Sequence, residues 1–243
     1  MKNYITAAIV ALGLIISTAF LANAFKNRNR ADDTISVTGL GSKDFVSDLI
    51  VWNSSFSKKS FELKEAYASL ETDRNAIKNY LLSKGVKENE LIFSSVSISK
   101  EFATTYDENS NVRSQTFNGY SLTQSVQIES KDVEKIENVS RSVSELINSG
   151  VELYSNTPEY YYTKLAALKL EMIAEATKDA RLRAEKIAKN AGSSLGDLKK
   201  SDMGVFQIVA QNSSEEYSWG GSFNTAAKNK TATITMKLVY KID

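Results

Sequence analysis

The stretch from Thr163 to Ala191, TKLAALKLEMIAEATKDARLRAEKIAKNA, is the longest helical pattern in the chain beyond Arg30, and it limits what the rest can fold into. Gly192 follows as its stop, because glycine takes up the left-handed backbone that closes a helix. At 1.5 Å per residue the pattern predicts a rod of roughly 40 Å. Ala166, Leu170, Ile173, Thr177, Ala180, Ala184, Ile187 and Ala191 recur at alternating spacings of four and three, which draws one narrow seam along it. Most of the seam is alanine, and small side chains let a helix axis lie close to a sheet or another helix. The expected role is architectural, with Ala166, Leu170, Ile173, Ala180, Ala184 and Ile187 as the candidate packing seam.

Composition then removes most chemistry. The 243 residues include no cysteine and no histidine. Disulfides, thiolate nucleophiles, imidazole or thiolate zinc sites and histidine-dependent triads are excluded together. Carboxylates, Lys, Tyr, Ser and Thr remain, and no paired acid-base or metal-ligand spacing stands out among them, so neither a catalytic residue, a metal site nor a cofactor is expected. Lys2, Lys26, Arg28 and Arg30 all precede the first acid, Asp32, leaving 26 of the 30 basic residues against 29 acidic ones. A mildly acidic remainder, with no basic run and interleaved aromatics, argues against nucleic acid as a partner.

Tyr4 to Phe25 carries no charge and is long enough as a helix to cross a bilayer, so residues 1–30 read as an export signal, an anchor, or both. Ala22-Asn23-Ala24 has the small-x-small form of a cleavage site, but the run exceeds the usual signal core, which favours a retained transmembrane helix. Lys26, Arg28 and Arg30 beyond it favour the opposite orientation by the positive-inside rule. The span would hold the chain at a membrane, or leave it secreted if cleaved after Ala24.

From Thr34 onward the periods alternate between two and 3.6. A β-branched run closes at Gly39 and Gly41, read as a bend or bulge, and Phe45 to Ser57 forms a second strand. Ser60 is a candidate cap for a helix with Leu63, Tyr67, Leu70, Ile77 and Leu81 on its apolar face. Leu91 to Glu101 alternates as a strand, and a polar loop then leads to Gly119 and another strand. Ser130 is a candidate cap for a second helix, closed by Gly150 before VELYSN. Residues 45–157 thus predict a ferredoxin-like βαββαβ unit. Pro158 and the Tyr160-Tyr161-Tyr162 triplet lead into the long helix, and residues 158–243 add that helix and a C-terminal β-hairpin. The whole is expected to be α+β: a transmembrane helix followed by one domain over residues 31–243.

Ile35-Ser36-Val37-Thr38-Gly39-Leu40-Gly41 with Asp48 and Trp52, Gly85-Val86 with Glu90-Leu91, Gly119-Tyr120, and Asp179-Ala180-Arg181 through Ala184-Glu185, Ala188, Gly192 and Leu195-Gly196 resemble the SIMPL domain family. The resemblance extends from Ile35 to near the end, and the apolar start with FKNRNR looks like a branch carrying an amino-terminal membrane helix. It implies an α+β fold, a bacterial cell-envelope protein anchored to the inner membrane with its domain facing the periplasm or exterior, homo-oligomers that are ring-shaped in some members, and a link to oxidative-stress defence. No catalytic residues come with it.

Asp107 with Glu108 and Glu215 with Glu216 lack the alternating pattern of a calcium loop and read as acidic loop tips. Trp52 lies in an alternating strand and belongs in a core. The aromatics left in polar loops, Tyr106, Tyr217, Trp219 and Phe223, are the candidate contacts for a partner or ligand of unknown kind. The chain is expected to be a non-enzymatic, self-associating envelope protein, with a binding module for a small molecule or envelope polymer as the alternative.

Overall fold

The computed structural model describes residues 2–28, 33–108, 111–214, 218 and 220–242; within the first helix, side chains are described from Ala11 to Phe25. The described residues form four α-helices and two antiparallel sheets. The helices are α1 (Lys2–Arg28), α2 (Leu63–Ser83), α3 (Val133–Ser142) and α4 (Leu165–Asn190). The strands are β1 (Thr34–Val46), β2 (Leu49–Ser60), β3 (Leu91–Phe93), β4 (Ser97–Tyr106), β5 (Val112–Ser130), β6 (Leu153–Ser155), β7 (Glu159–Tyr161), β8 (Leu195–Met203), β9 (Gln207–Ala210) and β10 (Asn229–Ile242).

This corrects the expected fold class. In place of one ferredoxin-like unit with an appended hairpin, the architecture is mixed α/β with two sheets. The six-stranded sheet runs β3-β5-β2-β6, with β4 also on β5 and β7 also on β2, while the four-stranded sheet runs β1-β10-β8 with β9 also on β10. The expected C-terminal hairpin is therefore part of a larger sheet in which β10 pairs with three strands. Its partner β1 lies nearly the whole chain away, and no local periodicity announces a pairing at that separation. The transmembrane expectation is corrected too. Among the described residues no helix is long and apolar enough to cross a membrane.

The chain divides into two compact units. In the unit of residues 44–167 and 207–232, Ile50, Trp52 and Phe56 of β2 and Leu122, Val126 and Ile128 of β5 share a core with α2 and α3. Helix α2 supplies Ala66, Leu70, Ile77 and Leu81, and α3 supplies Val133, Ile136 and Val139. The alternating burial of β2 follows from strand geometry, since every second side chain points to the helices. Trp52 is fully buried and keeps its indole N–H satisfied by Ser155 Oγ at 3.1 Å and Asn156 O at 3.0 Å. Ser60 is not the helix cap; it accepts the Glu62 N–H, and α2 begins at Leu63. Asp132, not Ser130, caps α3, accepting the Lys135 N–H at 3.2 Å.

In the other unit, residues 1–43, 168–206 and 233–243, the buried stripe of α4 is Leu168, Met172, Ala176, Ala180, Ala184 and Ala188. Ala180 and Ala184 of the expected seam are buried, Ile173 is half-buried, and Ala166, Leu170 and Ile187 are exposed. The correction has a geometric cause. The buried residues step by four throughout, following a ridge inclined to the axis, where the expected seam alternated fours and threes to run parallel with it. Under the Met172, Ala176 and Ala180 part of that ridge lies strand β1. A Cβ placed on Gly39 would stand 2.1 Å from Ala176 O and 2.4 Å from Ala180 N, and one on Gly41 would stand 2.4 Å from Met172 O. Gly39 and Gly41 are accordingly no bend. They lie inside β1 and let the helix backbone approach the strand backbone directly.

Candidate functional site

Strands β4 and β5 form a hairpin longer than expected, because Phe102–Tyr106 and Val112–Phe117 continue the strands through what the sequence marks as a polar loop. Asp107 closes its turn: its N–H donates to Asn111 O and its carboxylate accepts the Asn111 N–H at 2.8 Å. From Val112 to Gly119, β5 pairs with β4 alone among the described strands, since β2 pairs with β5 from Tyr120 onward. This outer part is a two-stranded ribbon, a form marginal in water by itself. Its side chains are apolar for so exposed a place: Phe102, Tyr106, Val112 and Phe117, with Phe61 and Ile98 beside them, are all exposed. Four rings are linked edge to face, Phe61 to Phe117 at 6.4 Å, Phe102 to Phe117 at 6.0 Å and Phe117 to Tyr120 at 5.2 Å. The row prolongs the face of β5 that, further on, is covered by α2. Lys59 on β2 holds Glu101 of β4 at 2.7 Å, leaving the strand's acidic group neutralised.

Tyr106, the first candidate contact, is thus at the far end of this ribbon and 63% exposed. Phe223 belongs elsewhere, on a pocket of about 160 Å³ lined by Phe45, Tyr160, Tyr161, Tyr162, Leu165, Ile208, Phe223, Asn224, Thr225 and Lys230. Tyr217 and Trp219 lie outside the described residues. The pocket walls are tied by main-chain bonds: the Tyr160 N–H donates to Thr225 O at 2.7 Å and the Asn224 N–H to Ile208 O at 2.9 Å. Lys230 is 2% exposed, and its ammonium donates to Tyr160 O at 2.9 Å and to Asn224 O. Burial raises the Tyr160 hydroxyl above its ordinary range, and the Glu159 carboxylate beside Tyr161 raises that hydroxyl. These phenols are neutral at physiological pH.

Sequence reasoning missed Phe61, Phe102 and Phe117, although Ile98, Phe102 and Tyr106 recur every four residues in one alternating run. Lys230 was also legible, since it shares the phase of the buried residues Ala232, Ile234, Met236, Leu238 and Tyr240. Among the described residues no three carboxylates gather where they could hold a metal ion. On α4, Asp179 accepts the Leu40 N–H at 2.9 Å and pairs with Arg183, and Arg181 pairs with Glu185. The Leu40 amide and the Arg183 guanidinium hold the Asp179 carboxyl below its usual range. The Asp179-Ala180 pair therefore fastens α4 to the Gly39-Leu40-Gly41 segment of β1, the two most distinctive motifs of the sequence meeting in one joint.

A family model described as SIMPL, protein of unknown function (DUF541), matches residues 35–239. The chain belongs to the SIMPL family. The match starts at β1 and ends within β10, so this SIMPL domain includes both sheets and leaves α1 outside. No curated protein matches the chain.

Proposed function

We propose that this SIMPL protein is a non-catalytic component of the cell envelope that works by associating with copies of itself. The observation carrying the reading is the β4–β5 ribbon, where Phe102, Tyr106 and Phe117 stand exposed with Phe61 beside them, and where no described strand pairs with the outer edges. Exposed apolar rows on unpaired strands are sites of association, and soluble chains ordinarily blunt them. The non-catalytic part is supported by a chain without His or Cys and by carboxylates held low by ion pairs, as in Glu88 with Lys78 and Glu145 with Lys84. The envelope location and a part in oxidative-stress defence are supported by the resemblance alone. Sedimentation of the purified full chain at micromolar concentration is expected to give an oligomer, which Phe102→Lys converts to monomer by placing a charge in the row. A monomeric wild-type chain would sink the reading.

A second reading, a module binding a small molecule, is supported by the Phe223 pocket. An apolar cavity of about 150 Å³ accepts benzene, so this one has room for a single ring. Benzyl alcohol is the probe: ligand-observed NMR should detect its binding, and Phe223→Ala should weaken it several-fold without changing the oligomer. Equal binding to both chains would remove Phe223 from the site.

A further inference from the structure

We infer that the occupant of the free β4 edge is β4 of a second copy, paired antiparallel about a two-fold axis at Phe102. This rests on the self-association reading and gives it a register. Among the described residues β4 pairs only with β5. That pairing has two irregularities, between Lys100 and Phe102 and between Thr105 and Tyr106, and both place the extra residue on β5. Strand β4 therefore alternates without interruption, with Ile98, Lys100, Phe102, Thr104 and Tyr106 on one face. The outer edge of a regular strand offers its amides and carbonyls to another strand, and a two-fold axis lets one edge serve as its own partner.

The order of side chains selects the axis. With Phe102 opposite Phe102, Ile98 of each copy faces Tyr106 of the other, and Lys100 faces Thr104. On the reverse face Glu101 meets Ala103 and Ser99 meets Thr105. All three large apolar residues find apolar partners, and no two like charges stand opposite each other. Centring the pair on Glu101 would set two carboxylates together, and centring it on Lys100 two ammonium groups. Centring on Ala103 would leave Phe102 against Thr104 and Ile98 against Glu108. The ring contacts add continuity, since the row Phe61–Phe117–Phe102 ends at this edge and would run on through the second copy's Phe102. Lys59 already neutralises Glu101, so the two strands bring no net repulsion from that residue.

The absence of cysteine makes the test direct. Residues opposite each other in an antiparallel pair have Cα atoms about 4.5–5.5 Å apart, within the span of a disulfide. Full-length Phe102→Cys, exposed to mild oxidant, should form a reducible dimer, whereas Thr116→Cys on β5 should remain a monomer under denaturing, non-reducing conditions. A second experiment keeps Phe102: Lys100→Cys mixed with Thr104→Cys should yield the mixed disulfide in excess of either homodimer. If neither experiment gives a cross-link while the wild-type chain sediments as an oligomer, the pairing is overturned and self-association stands. If the wild-type chain is monomeric, both fall.

Discussion

Asp179 shows how one side chain can serve two elements. Its carboxylate accepts the amide of Leu40, the residue between two glycines, and pairs with Arg183 one turn along α4. Both partners favour the ionised form, so the native value is depressed. The resulting stability is present above the unfolded carboxylate range near about 3.9 and is lost as pH falls through the lower native value. Asp179→Asn should therefore lower the melting temperature at neutral pH and flatten its decline on acidification. Thermal melts of both chains between neutral and strongly acidic pH would check this, and parallel curves would deny Asp179 the linkage. Asp132 is depressed in the same direction through Lys135, so the acid dependence should weaken in the variant without vanishing.

At the level of elements, the joint of β1 and α4 is governed by room. Backbone atoms of α4 lie where a side chain on Gly39 or Gly41 would have to go. Backbone cannot yield as the end of a long side chain can, so overpacking here displaces the whole helix and costs about 1–3 kcal/mol or more. Gly39→Val should lower the midpoint of urea unfolding by more than Gly13→Val, whose added Cβ meets no atom beyond its own helix within 4 Å. Equal midpoints would mean that α4 is free to lift from the strand. The seam in α4 tells the same story from the helix side. Ala176 and Ala180 are small because strand backbone lies beneath them, whereas Leu170 and Ile187 have no such constraint and point outward.

Over the whole molecule, what could be read from the sequence was local and what could not was long-range. The four-and-three spacing located α4, and alternation located β2 and β10, because each period reflects one element's own geometry. Nothing local told that β10 would pair with β1, and this one pairing replaces a hairpin by a four-stranded sheet. The polar run from Thr104 to Gln115 concealed a ribbon, since strands exposed on both faces carry no apolar alternation. Tyr106 and Phe223 both read as aromatics in polar settings, but the pocket at Phe223 is built from distant segments, with Tyr160 and Lys230 among its lining residues.

The pairing of β1 with β10 has a consequence for biosynthesis. Translation delivers the first of these strands long before the second, so while the intervening segments emerge from the ribosome, β1 must wait without its mate. The smaller sheet can close only after synthesis has reached β10, and any chain stalled before that point would leave β1 available to whatever strand it meets first.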